Sequence, residues 1–405
     1  MKILLYRPIL DCQPPRPIFI GKSKHMKAMI LAAGKGTRVR PLTYDLPKPM
    51  IPILGKPVMA YIVEHLAKHG VRDIMVNVSY LHERIEDYFG EGSRFGVNIG
   101  YSFEGHVDDD GEVVPEALGS AGGMKRIQEF GNFFDETTIV VCGDALIDLD
   151  LDAALREHKR KGALASVVTK EVPWDKVSDY GVVVMGDDGR VQRFQEKPRQ
   201  EDAKSNFAST GIYIFEPAAI DLIPSGRIFD IGSELFPLMA ERGLPFYAQT
   251  RPFNWLDIGS VTDYWSVLQN MLMGEVAQME VPGTQAKEGV WVGLNTRIDW
   301  EGTTIEGPVY IGSGSHIEAG SKIVGPAWIG HGSHICAGAE ITRSILFEYT
   351  RVLRNARLDE TIVCKNYFVN RAGEMRRLAE ADDAGLIDAR DRRHERRDKE
   401  GRQTA

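Results

Sequence analysis

Cysteine is scarce in this chain. Cys12, Cys142, Cys336 and Cys364 are far apart and never form CxxC. That spacing indicates neither a zinc site nor a disulfide framework, and a reducing cytoplasm is the expected setting. Long apolar runs are also missing. No stretch approaches the roughly 18 residues of a transmembrane helix, so no membrane partner is expected. The N-terminus, MKILLYRPIL, begins like a weak signal peptide. Arg7 and Pro8 break its apolar run, and no small-residue cleavage pattern follows. Residues 1–25 therefore read as an extension with little role in the fold. Positive charge is short too: 49 Lys and Arg stand against 57 Asp and Glu, for a net charge of −8. A nucleic-acid partner is disfavoured, because nonspecific affinity comes from neutralising phosphates. The remainder, 43% hydrophobic and 26% charged over 405 residues, is globular in character. It has room for two domains at about 150 residues each.

The chemistry is concentrated in residues 31–52, LAAGKGTRVRPLTYDLPKPMIP. An apolar run, Ala28-Met29-Ile30-Leu31, reads as a buried strand that enters a glycine turn. Gly34 and Gly36 let the backbone approach a ligand closely. Successive N–H groups in such a turn make a concave anion site. Arg38 adds a permanent charge with a planar fork suited to phosphate oxygens. Lys48, between Pro47 and Pro49, supplies a second cation on a stiff backbone. A strand, a glycine turn and two cations suggest a nucleoside triphosphate held by its phosphates. The register GxGTRxxPLT…PKP matches neither the P-loop nor the dinucleotide fingerprint.

Downstream of Met26, strand and helix alternate. Helical spacing over Pro57–Leu66 is followed by a strand at Ile74–Val78, a helix at His82–Phe89 and a strand at Asn98–Phe103. A helix at Met124–Phe130 precedes a very apolar strand, Thr138–Cys142, which ends in Gly143-Asp144. This alternation predicts an α/β fold: a Rossmann-like, mostly parallel sheet with helices on both faces. Ligands in such sheets bind beyond the carboxyl ends of the strands, where the glycine turn and Asp144 both fall. After about Val281 the pattern changes. Ile305, Ile311, Ile317, Ile323, Ile329, Ile335 and Ile341 recur every six residues. That period fits a parallel β-helix with three hexapeptides per coil and inward isoleucines. The expected domains are a catalytic one over 26–280 and a β-helix over 281–370. A charged tail over 371–405, helical or disordered, completes the chain.

The long register of residues 31–52 resembles the signature of the sugar-1-phosphate nucleotidyltransferases. The resemblance spans residues 26 to about 365. It implies that the β-helix is left-handed, and that Leu31, Ala32, Ala33, Gly34, Gly36 and Thr37 line the nucleotide. Ala117-Leu118-Gly119-Ser120-Ala121-Gly122 resembles the family's nucleobase element, which places Gly119 and Ser120 there. Asp144 and Asp257, the latter within Trp255-Leu256-Asp257-Ile258-Gly259, would clamp Mg²⁺. Arg38, Lys48, Asp144 and Asp257 would then carry catalysis. Phe194-Gln195-Glu196-Lys197-Pro198 resembles the FxEKP motif, with Glu196 on sugar hydroxyls and Lys197 on the sugar phosphate. Gly181, Thr210, Gly211 and Trp255 would complete the sugar site.

Cues such as Asn77-Val78-Ser79-Tyr80 and Val168-Thr169-Lys170 look most like mannose-1-phosphate guanylyltransferases. The expected partners are GTP and mannose 1-phosphate, giving GDP-mannose and pyrophosphate. Glucose-1-phosphate thymidylyl or uridylyl transfer is the first alternative. A non-catalytic regulatory paralogue is the second; it would require loss of a cation or metal ligand, yet all are present. Acyl transfer by the β-helix, with His316, His331 or His334 as base, is the third. The coil flanks, with Trp291, Trp300 and Trp328, suggest a homo-oligomer.

Overall fold

The computed structural model describes residues 26–108, 113–276, 280–377 and 385–390. The N-terminal extension, most of the acidic insertion around residue 110 and the end of the tail lie outside them. Among the described residues no helix is long and apolar enough to cross a membrane.

The catalytic region is built on a mixed sheet. Met26–Leu31 lies inside it, parallel to Val71–Val78 on one side and to the central strand Thr138–Cys142 on the other. Asn98–Phe103 extends the parallel half beyond Val71–Val78. Phe207–Phe215 runs antiparallel to Thr138–Cys142 and leads to Val182–Met185 and Val191–Gln195. Ala165–Glu171 joins Phe207–Phe215 to Phe246–Thr250. Strands this apolar are stable only where both faces are covered. Ala28 and Ile30 point into a core shared with Met59, Ile62 and Leu66 of the helix Val58–Lys68. Met29, between them in sequence, packs on the opposite face with Met124 and Ile127 of the helix Ser120–Gly131. This is the alternation of a pleated strand.

The hexapeptide region is a parallel β-helix. His316 lies beside His334, Lys322 beside Glu340, and Val309 beside Ala327. Ile311, Ile317, Ile323, Ile329, Ile335 and Ile341 are fully buried in one interior stack, while Ile305 is only partly buried at its edge. Beyond Ile341 the coil shortens by one residue, so that Trp328 faces Ile345 and His334 faces Arg351. The stack continues through Leu346, Val352, Leu358 and Val363, which is why the isoleucine period ends there while the fold does not.

Two expectations need correction. The tail was placed from residue 371 as helix or disordered chain. Instead, Met375–Arg377 pairs antiparallel with Tyr367–Asn370, and Leu386–Asp388 pairs with Thr350–Val352. Edge strands satisfy the open backbone groups that a β-helix leaves at its end. The second correction concerns Trp328. It was grouped with residues available to a partner chain, yet it is fully buried. Tyr310, Trp328, Ile345 and Ile362 form an outward column on successive coils. That column packs against Tyr264, Trp265, Leu268 and Met271 of the helix Val261–Leu272, and against Val39, Leu42, Ile51 and Ile53. The β-helix thus presses on the segment that carries Lys48. Self-association through Trp328 is excluded by this packing.

Truncating this wedge should be costly. Trp328→Ala should destabilise the protein by roughly 3–5 kcal/mol, the usual range for a buried large aromatic. Guanidinium unfolding measures it, and a loss below about 1 kcal/mol would mean that the two parts are not packed as described.

Candidate active site

The glycine turn closes over Lys48. Gly36 has φ 61°, and a Cβ there would lie 2.9 Å from the Lys48 Cβ and 3.1 Å from the Thr43 Cγ2. Only glycine reconciles that conformation with that contact. The Thr43 hydroxyl donates to the Gly36 carbonyl at 2.8 Å and pins the turn. Lys48 follows the extended Pro47 and opens the short turn Lys48–Met50, which aims its side chain inward.

Two carboxylates meet its ammonium group. Asp144 follows the central strand Thr138–Cys142. Gly143 between them donates its N–H to the Leu31 carbonyl at 3.0 Å. Asp257 arrives on a separate strand, Trp255–Asp257, that pairs antiparallel with Ala145–Ile147 and sets Asp257 opposite Ala145. This ribbon brings together two acids far apart in sequence. Lys48 Nζ makes an ion pair with Asp144 Oδ2 and lies 3.9 Å from Asp257 Oδ1. Burial alone would lower the Lys48 pKa, but Asp144 and Asp257 outweigh it and the net shift is upward. Burial, then the Asp144 charge, pushes the Asp257 carboxyl up to about 6. One ammonium group does not fully compensate two carboxylates at this depth, and the oxygen pair is the hard donor set that suits a small divalent cation.

Beside the Leu118-Gly119 turn stand two residues to which the sequence pattern assigned no site role. Glu104 and Asn77 are buried. Asn77 Oδ1 accepts from the Ala32 N–H at 2.8 Å, and Asn77 Nδ2 donates to Glu104 Oε1 at 2.7 Å. Glu104 Oε2 accepts from the Leu118 N–H at 3.0 Å. This chain ties the first strand end, and with it Leu31, Ala32 and Ala33, to the turn at Leu118-Gly119. Burial raises the Glu104 pKa. A Cβ on Gly123 would fall 2.3 Å from Glu104 Oε1, so that glycine makes room for the carboxylate. Glu104 stands just past the strand Asn98–Phe103, and the rule that singled out Asp144 at a strand end points to it equally. The hydroxyl of Ser120, a residue expected on the nucleotide, donates to Asp230 Oδ2 at 2.7 Å and accepts from the Ile231 N–H at 2.8 Å. It braces the turn against the segment after Phe229.

The proposed sugar residues also divide. A Cβ on Gly181 would approach Glu196 Oε2 to 3.0 Å, so Gly181 and Glu196 are neighbours as expected. Burial raises the Glu196 pKa, and Lys197 Nζ lies 3.7 Å from its Oε1. The Trp255 ring packs 4.9 Å from the Tyr180 ring beside them. Thr210 donates its hydroxyl to the Val168 carbonyl at 2.9 Å and is buried. It supports the strand. Gly211 has φ 73°, and a Cβ there would strike Cys142 Sγ at 2.6 Å. The need for glycine comes from packing on Cys142, which the sequence does not reveal. Arg38, Gly34 and Thr37 stay exposed at the mouth.

Comparison with known proteins agrees with this geometry. The profile of the nucleotidyl transferase family matches residues 27–273. A Synechocystis sp. protein named UTP–glucose-1-phosphate uridylyltransferase is 54% identical over 86% of this chain and 89% of its own length. The catalytic subunit beta of mannose-1-phosphate guanylyltransferase from Danio rerio is 37% identical over 59% of this chain and 62% of its own. A Mycobacterium tuberculosis mannose-1-phosphate guanylyltransferase is 30% identical over 73% of this chain and 77% of its own. A Bacillus anthracis crystal structure bearing the name glucose-1-phosphate thymidylyltransferase shares the fold, with a TM-score of 0.51 at 24% identity over 60% of this chain and 94% of its own. The expectation of a guanylyltransferase gives way to its alternative, since the uridylyltransferase is much the more similar. On the match over residues 27–273, the chain belongs to the nucleotidyl transferase family.

Proposed function

We propose that the protein transfers a uridylyl group from UTP to glucose 1-phosphate, giving UDP-glucose and pyrophosphate. The observation that carries this substrate pair is the 54% identity to the Synechocystis uridylyltransferase across nearly all of both chains. The chemistry is supported by the cluster of Lys48, Asp144 and Asp257 at the strand ends.

Both reactants are anions, so positioning and charge compensation dominate the barrier. The glycine turn and Arg38 hold the triphosphate. Glu196, beside Gly181, orients the sugar by accepting from its hydroxyls, with Lys197 on its phosphate. Lys48 faces the α-phosphate and offsets the charge that gathers there as the new P–O bond forms. Asp144 and Asp257 would hold Mg²⁺, which supplies further neutralisation of the phosphate oxygens. Glu104 and Asn77 fix the spacing between the phosphate turn and the nucleobase turn. In the β-helix, the His316 and His334 rings stack at 4.8 Å, His334 pairs with Glu318 at 2.8 Å, and His331 packs on Tyr349. These contacts account for the histidines without an acyl-transfer role. Cys142, Cys336 and Cys364 are unpaired thiols, which supports a cytoplasmic setting.

A pyrophosphate-release assay over five nucleoside triphosphates and several sugar 1-phosphates tests the substrate pair. UTP with glucose 1-phosphate should give the highest kcat/KM; a maximum with GTP and mannose 1-phosphate would sink it. Asp144→Asn and Asp257→Asn should each remove most turnover while the fold persists by circular dichroism. Near-normal kcat in both would refute the metal assignment.

The raised Asp257 pKa has a stability consequence of definite sign. Its folded value of about 6 lies above the ordinary 3.8, so between these limits the folded state binds more protons than the unfolded. The contribution of Asp257 to stability should therefore fall as pH rises from about 4 to 6, by the linkage of protons to folding. Urea unfolding at stepped pH without divalent metal should show it as the difference between the parent and Asp257→Asn. A slope equal in both proteins would contradict the burial of this charge.

A further inference from the structure

The face of the β-helix that carries Tyr310, Trp328 and Ile345 packs on the catalytic region. A second face carries a column of nitrogen-bearing side chains. Arg297, His316, His334 and Arg351 stand at matching positions of successive coils. Ile317 and Ile335, next to the two histidines, are buried in the interior stack. Strand alternation therefore turns His316 and His334 outward. Their rings lie 4.8 Å apart with 14° between their planes.

Glu318, two positions beyond His316, reaches the next coil. Its Oε1 lies 2.8 Å from His334 Nε2, and its Oε2 accepts from the Ala337 N–H at 2.9 Å. One nitrogen of each ring and one Glu318 oxygen thus lie within 4.8 Å of one another. Ligand atoms around a tetrahedral ion with bonds of about 2.0–2.2 Å stand roughly 3.3–3.5 Å apart. His316 is exposed, and a rotation of its ring closes the set.

Charge alone would not hold a cation here. Arg297 and Arg351 flank the ring pair, and Arg354 Nη2 lies 3.5 Å from Glu318 Oε2. A hard ion such as Mg²⁺ gains little against them. Imidazole nitrogens favour a borderline first-row ion, and two of them with one carboxylate make a donor set that suits zinc. The Ala337 N–H on Oε2 is the kind of outer support that orients a ligating carboxylate and leaves its other oxygen for the metal. A second group among the described residues, His69 with Asp150 and Asp152, is poorer. It offers one imidazole, and Asp150 Oδ1 already caps the helix Leu151–Arg160 through the Ala153 N–H at 2.8 Å.

We propose that His316, Glu318 and His334 bind a zinc-type divalent ion that ties two adjacent coils of the β-helix together. The ion sits between His334 Nε2 and Glu318 Oε1, and a neutral His334 then carries its hydrogen on Nδ1. Water completes the tetrahedron on the open side. The site is distinct from Asp144 and Asp257, which belong to the catalytic region and offer oxygen donors only. It stands whether or not the substrate reading above holds.

The test is calorimetric titration of the untagged full chain with zinc chloride, in excess Mg²⁺ so that the hard oxygen donors are occupied. One zinc per chain should bind, and zinc should raise the melting temperature. His316→Ala, at an exposed position, and His334→Ala should each weaken binding at least roughly tenfold, since even loss of a residue that supports a ligand costs that much. Both should also remove the zinc-dependent rise in melting temperature, while His69→Ala should bind zinc as the parent does. The proposal is overturned if the parent binds no zinc at a one-to-one ratio, or if both His316→Ala and His334→Ala bind it unchanged. It is equally overturned if His69→Ala alone abolishes binding.

Discussion

One cation between two carboxylates, all three partly buried, is the constraint around which the site is arranged. Taking Lys48, Asp144 and Asp257 out of water is unfavourable unless each charge finds the others. The chain brings them together from three places: a proline-bounded turn, the end of the central strand, and a separate ribbon. Each arrival depends on a local device. Gly36 lets the phosphate turn lie on the Lys48 stem, Gly143 lets the turn after the strand lie on Leu31, and the ribbon pairing of Trp255–Asp257 with Ala145–Ile147 fixes the second acid. The arrangement is left with surplus negative charge, which adds to burial in raising the Asp257 pKa. A site that is uncomfortable without a ligand is suited to bind a cation and an anionic substrate together.

Much of this was legible in the sequence, for identifiable reasons. Alternation of apolar strands and amphipathic helices fixes the sheet, and the six-residue isoleucine period fixes the β-helix. Arg38, Lys48 and Asp144 fall at strand ends or turns where the fold class places ligands. What stayed hidden depends on pairs distant in sequence. Gly211 is a glycine because Cys142 faces it across an antiparallel pair, and no local pattern records that contact. Ser120 braces Asp230, more than a hundred positions away. Ser120, Thr210 and Gly211 thus each have a structural contact that fixes the residue type at that position.

The Ala32–Asn77–Glu104–Leu118 chain shows the same division of labour. A buried carboxylate is tolerated only with donors directed at it, and here the donors are the Asn77 amide and the Leu118 N–H. Those bonds lock the Leu118-Gly119 turn to the strand end that begins the glycine turn. The spacing between the two turns is thereby set by protein hydrogen bonds alone. Such preorganisation lowers the cost of ordering on binding.

The β-helix extends the argument to the other side of the phosphate turn. Residues 37–53 contain no glycine, four prolines, two short 3₁₀ turns and an irregular stretch over 40–47 between them. A segment with so little regular hydrogen bonding draws its order from tertiary packing. Part of that packing comes from the catalytic sheet, through Met50. The rest comes from the repeat domain. Val39, Leu42, Ile51 and Ile53 share a core with Trp328, Ile345 and Ile362. Tyr44 packs on Tyr367 at 5.3 Å, and Asp45 pairs with Lys365 at 3.2 Å. An exposed ion pair contributes little by itself, so the apolar column carries most of the energy and the polar contacts set the register. Lys48 lies between Asp45 and Met50 in the chain. The coils therefore form the outer wall of the segment after the glycine turn, and the repeat domain helps to position Lys48.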